Sequence, residues 1–163
     1  MSTAAPEVTV LPVSVLMRCT QRVHRGWPYP AWEVAGLLPD EDGYGETPSG
    51  GVVHAVEGTS DYLWRGLRFR LVRSNAETYW FNLTGTRPRA FVICRPDSAG
   101  QLVPVMVTLD QDEATRQLEG DGEVFEVVIP APVQEALERF VMTHYQPRPR
   151  RRGRRRSSDD DGR

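Results

Sequence analysis

Five side chains of this sequence could ligate a metal or act as nucleophile or base: Cys19, His24, His54, Cys94 and His144. A metal centre needs such groups at ligand spacing, and only Cys19 and His24 are close along the chain; no CxxC, HxH or HExxH occurs. No metal is expected. For nucleophilic catalysis there is no GxSxG, and neither cysteine has a histidine beside it to activate it. One feature favours a reactive thiol: Arg18 and Arg22 flank Cys19 and would lower its pKa if they converged on it. Phosphate-cradling loops of the GxxxxGK[ST] or GxGxxG kind do not occur, and Gly43, Gly45, Gly50 and Gly51 fall in an acidic stretch that would repel phosphate. These patterns predict no catalytic residue and no cofactor.

Binding is better represented. Between Arg150 and Arg156 six of seven residues are arginine. With Arg148, the side chains Arg150, Arg151, Arg152, Arg154, Arg155 and Arg156 could contact nucleic-acid phosphates or an acidic protein surface. No aromatic residue interleaves them, so stacking on single strands is not expected, and nucleic acid is the less favoured partner. The second group is aromatic. Trp27, Tyr29 and Trp32, separated by Pro28 and Pro30, could form a rigid recognition surface for a protein, or could cover an open end of a sheet.

Charge separates the chain into two parts. Residues 1–145 hold 12 arginines and 19 acids, net −7, whereas residues 146–163 hold 8 arginines and 3 aspartates, net +5. An acidic body thus carries a basic tail. There is no lysine, so every fixed side-chain cation is a guanidinium, which pairs with carboxylates and phosphates through a planar fork. Cys19 and Cys94 lie 75 positions apart in strand-like segments and are expected as free thiols. MSTAAPEVTV has neither a basic nor an apolar leader region, and no apolar run approaches a membrane span; a cytoplasmic location is expected.

The segments that must position these residues are mostly strands. LRFRLVR, TYWFNLT and LVPVMVTL alternate at period two, and RAFVICR is apolar throughout. Together they predict a four-stranded antiparallel meander over Leu67–Leu109, with Trp64, Tyr79, Trp80 and Phe81 in the core. Upstream, strands are expected at 8–18, 32–38 and 52–56. Thr20–Pro30 reads as irregular, broken by Gly26, Pro28 and Pro30. Downstream the period changes. Asp110 and Glu113 have capping-box spacing for a helix over 111–119 closed by Gly120, a strand is expected over 124–129, and Pro130 opens a second helix. On that helix Val133, Leu137, Phe140, Val141 and His144 form one stripe. Strands first and helices last argue for an α+β fold. The expectation is a mostly antiparallel, six- to eight-stranded curled sheet or barrel-like β domain with a C-terminal helix packed on it. Residues 1–7 are read as a disordered lead, 8–146 as a single strand-rich domain and 147–163 as a disordered Arg-rich tail.

Four stretches taken in order, LPVSVLMR (Leu11–Arg18), WEVAGLLPD (Trp32–Asp40), YWFNLTGTRPRAFVICR (Tyr79–Arg95) with VPVMVT (Val103–Thr108), and IPAPVQEALERFVMTHYQP (Ile129–Pro147), resemble the bacterial domain of unknown function 3305 family. The genes of that family commonly stand beside those for molybdenum-dependent formate dehydrogenase. The resemblance implies a non-catalytic accessory protein for assembly, cofactor delivery or regulation of that enzyme. Its expected partners are formate dehydrogenase subunits or molybdenum-cofactor proteins. The long acidic loop at Asp40–Gly51 and the arginine-only tail depart from the family pattern. Two alternatives stand beside it: a nucleic-acid or polyanion-binding regulator acting through the tail, and a molybdopterin cofactor-handling enzyme with Cys19 as its thiol. The family brings no established catalytic residues, so it assigns none here.

Overall fold

The computed structural model describes residues 7–43, 48–118 and 120–147. Seven strands and three α-helices follow in the order β1 (Val8–His24), β2 (Trp27–Pro39), β3 (Ser49–Val56), β4 (Thr59–Val72), α1 (Ala76–Thr84), β5 (Arg89–Pro96), β6 (Leu102–Thr108), α2 (Gln111–Arg116), β7 (Glu123–Val128) and α3 (Ala131–His144). They form two antiparallel sheets, β2-β1-β4-β3 and β6-β5-β7. The α+β class and the C-terminal helix agree with the sequence reading. A single curled sheet or closed barrel does not form. β4 runs beside β6 and β2 beside β7, as in a barrel, but neither seam carries a ladder.

One core joins the two sheets. Val13, Val15 and Met17 of β1, Leu67, Phe69 and Leu71 of β4, and Ala90, Val92 and Cys94 of β5 are all buried in it. Each set recurs at i, i+2, because alternate strand side chains point to one face. α3 adds Val133, Leu137, Phe140 and Val141, the stripe its sequence predicts, while its His144 lies half-buried against Phe140 with ring centroids 4.4 Å apart. The opposite face of β5 presents Phe91 and Ile93 to Ala114 of α2, so β5 is covered on both sides, as an uninterrupted apolar run requires.

The segment TYWFNLT is a helix, not the second strand of a meander. Its aromatic and β-branched residues favour a strand in isolation, but tertiary burial decides. As a helix it places Tyr79 and Leu83, four residues apart, against the core beside α3. The Tyr79 hydroxyl takes the Val72 amide at 3.1 Å, which fixes the turn out of β4. Asn82 binds the Arg89 amide and the Arg89 and Leu109 carbonyls, tying α1 to the entry of β5 and the exit of β6. The helical period also turns Phe81 and Trp80 outward; Phe81 is exposed, and Trp80 stacks on Tyr145 at 5.5 Å. Of the expected aromatic core group, only Tyr79 is fully buried, with Trp64 packed at the rim.

Thr20–Pro30 also departs from expectation, since it continues β1 and β2 into a hairpin. The turn is Arg25-Gly26, both at positive φ (50° and 81°), the backbone that matches hairpin twist. Pro28 and Pro30 are tolerated because β2 is an edge strand and a proline there can turn its missing N–H outward. Asp110 caps α2 as its spacing predicts, accepting from the Asp112 and Glu113 amides at 2.9 and 3.3 Å. The return contact of a capping box is relayed. Glu113 accepts from the Thr108 hydroxyl, and that hydroxyl accepts from the Asp110 amide.

Asp40 closes the outer face of the first sheet. Its amide donates to the Pro12 carbonyl, and its carboxylate accepts from Ser14 Oγ at 2.5 Å and from Arg65 Nε and Nη2 at 2.8 and 2.9 Å. The strand residues Ser14 and Arg65 bring β1 and β4 to the end of β2. The Arg65 fork, then Ser14, holds the Asp40 carboxyl down at about 2. A folded pKa below the unfolded one gives stability that is complete above the ordinary carboxylate range and is lost as pH falls through the folded value. Denaturant midpoints of the wild type and Asp40→Asn are therefore expected to converge between about pH 4 and pH 2. An offset that stays constant across that window would show that the ion pair does not contribute.

Candidate functional site

The five potential ligands and nucleophiles are not brought together. Among the described residues no group of three His, Cys, Asp or Glu side chains is placed to hold a metal ion. Cys94 is fully buried in β5 with its Sγ 4.0 Å from Met17 Sδ, and burial pushes its thiol up to about 12. Cys19 is half-buried opposite Trp32 and Ser60, and burial raises its pKa also. The arginines flanking it do not converge on it. Arg18 faces outward and binds Asp61 through Nε and Nη2 at 2.8 and 3.1 Å, and Arg22 shares that outward parity. That fork, ahead of the Coulomb attraction, lowers the Asp61 pKa despite its burial. Both cysteines are free. A thiol reagent at neutral pH is expected to modify Cys19 slowly and Cys94 only on unfolding. Rapid labelling of Cys94 in the native protein would contradict its placement in the core.

The aromatic trio is divided by strand parity. Trp27 and Tyr29 pair with His24 and Arg22 and share the outward face, whereas Trp32 points inward, with its ring 5.7 Å from Tyr62. Trp27 is 77% exposed and Tyr29 43%. Pairing of β1 with β4 ends at Thr20 and Thr59, so the hairpin from Arg22 to Tyr29 runs on as a two-stranded arm, about 10 Å beyond the sheet. Its outward face presents two rings, one guanidinium and one imidazole. Arg148, Arg150, Arg151, Arg152, Arg154, Arg155 and Arg156 lie outside the described residues.

A second surface was not foreseen. Beyond Arg65, β4 loses β3 as a neighbour, and its free edge runs beside β6. The open seam leaves a groove of about 500 Å³, with Arg68 and Arg70 on β4 and Arg116 at the end of α2 in its walls. The alternation LRFRL carries a partial signal, because burying Leu67, Phe69 and Leu71 must turn both arginines to the other face. Arg116 joins them only through the fold.

The architecture is that of a two-sheet α+β protein with an open seam and a projecting hairpin. The chain belongs to the family described as Protein of unknown function (DUF3305), whose model matches residues 12–155. No curated protein and no solved structure matches it. No helix among the described residues is long and apolar enough to cross a membrane.

Proposed function

We propose that the protein is a non-catalytic accessory protein that docks on a protein partner through the β1–β2 arm and serves assembly, cofactor delivery or regulation of a molybdenum formate dehydrogenase. The observation that carries the docking is the arm itself. A hairpin that buries nothing of its own core yet exposes Trp27 and Tyr29 presents the residue types that anchor protein interfaces. Arg22 and His24 beside them add donors that suit an acidic or carbonyl-rich rim on the partner. The partner class rests on the resemblance alone, which implies a gene neighbourhood with formate dehydrogenase.

Deletion of the gene tests the assignment. The expected result is a formate dehydrogenase with reduced activity and reduced molybdenum content, restored by the wild-type chain and not by a chain carrying Trp27→Ala and Tyr29→Ala. Full activity and full molybdenum content in the deletion strain would remove the proposal.

A further inference from the structure

The groove at the open seam has no role in the docking reading, and its chemistry differs from the rest of the acidic body. Arg18 and Arg65 on the outer face of the first sheet are each held by a carboxylate, Asp61 and Asp40. Arg68, Arg70 and Arg116 form no ion pair with any carboxylate among the described residues. Residues 1–145 carry more acids than arginines, yet this one concavity gathers three of their twelve arginines against a single carboxylate, Glu113. The groove's volume of about 500 Å³ is that of a small-molecule site.

The geometry points to a binding site for a phosphorylated small molecule, with its phosphate between Arg68, Arg70 and Arg116 and its body along Val72 and Met106. Arg68 and Arg70 stand at i, i+2 on one strand, about 7 Å apart, and Arg116 approaches from α2 across the seam. Three guanidinium forks offer more N–H donors than one carboxylate has lone pairs to accept, whereas a phosphate group has the oxygens and charge to engage them. Val72 and Met106 give the same groove an apolar wall. Glu113 also lines it, with its carboxylate anchored by the Thr108 hydroxyl at 2.9 Å. There it can accept from a hydroxyl or amine on the body of the ligand. The ligand class is thus an organic phosphate, anionic at one end and carrying hydrogen-bond donors on its body.

Calorimetric titration of the full-length chain with ADP and with inorganic pyrophosphate tests the site. Binding of both is expected, with ADP the tighter. Arg68→Gln, Arg70→Gln and Arg116→Gln are each expected to weaken it about tenfold, because each removes a charge-assisted contact. Arg68 and Arg70 are exposed, so their variants are expected to melt with the wild type. Arg70→Lys keeps the charge and loses the fork, and should bind more weakly than wild type. A full-length variant with Arg154, Arg155 and Arg156 all changed to glutamine is expected to bind like the wild type. The proposal is overturned if the tail variant loses binding while the groove variants keep it, if citrate competes as well as pyrophosphate, or if no binding is seen at about 1 mM ligand. Co-sedimentation with phosphatidic-acid vesicles that depends on Arg68 and Arg70, without pyrophosphate binding, would make the ligand a lipid headgroup and equally overturn it. None of these results depends on the formate dehydrogenase assignment.

Discussion

Phe69→Ala is expected to destabilise the protein by about 3–5 kcal/mol, measured as a lower urea midpoint with an unchanged slope. Phe69 is fully buried in the C-terminal half of β4, opposite Leu11 of β1, and belongs to the cluster shared by both sheets and α3. Truncating it removes the transfer energy of the ring and leaves a cavity that two sheets and a helix cannot all collapse into. Arg68 next to it points the other way, and Arg68→Ala is expected to change stability by less than about 0.5 kcal/mol. The pair of variants tests the register of β4 as well as the core. A one-residue slip would exchange the two effects, since it moves every side chain to the opposite face. A cost below about 1 kcal/mol for Phe69→Ala would contradict the core described here.

Trp27→Ala combined with Tyr29→Ala is expected to weaken capture of the protein partner by about thirtyfold or more while leaving stability within about 0.5 kcal/mol of wild type. The separation of the two effects follows from placement. Both rings sit on the outward face of an arm that is paired on one side only, so removing them opens no cavity. Interface anchors, by contrast, are costly to truncate because they leave a desolvated pocket on the partner unfilled. Trp32→Ala is the internal contrast. Its ring packs on the core beside Tyr62, so the variant should lose stability first and binding only as a consequence. Equal losses of stability from Trp27→Ala and Trp32→Ala would show that the arm is part of the core.

Much of the fold was legible because burial imposes its period on the chain. The alternation in LRFRL, the apolar run of RAFVICR and the stripe Val133, Leu137, Phe140 and Val141 each find the face they imply. Asp110 could be read as a cap because the cap is a local hydrogen bond that needs no tertiary information. What could not be read was settled at a distance. TYWFNLT has strand-forming residues and becomes a helix because α3 and the end of β4 offer Tyr79 and Leu83 a place four residues apart. Pro28 and Pro30 look like breakers until β2 is known to be an edge. The single curled sheet divided in two for the same reason: α1 occupies the place in the chain where a strand would have joined β4 to β5.

The binding surfaces were legible in the same uneven way. Trp27 and Tyr29 stand out by composition, but only the hairpin register sends Trp32 to the opposite face. The seam groove brings Arg70 of β4 to Arg116 of α2, 46 positions on, and no spacing in the sequence announces it. Cys19 shows the converse. Its arginine neighbours suggest activation along the chain, and strand alternation sends Arg18 to the other side, onto Asp61.

The proposed docking of the arm on the formate dehydrogenase machinery is open to affinity capture from a native cell lysate. Full-length wild type and the Trp27→Ala, Tyr29→Ala double variant would be compared, each with nuclease treatment and identification of captured proteins by mass spectrometry. Enrichment of formate dehydrogenase subunits or molybdenum-cofactor proteins is expected with the wild type, and their loss with the double variant. Equal enrichment by both chains, or capture only of nucleic-acid-associated proteins that nuclease removes, would contradict it.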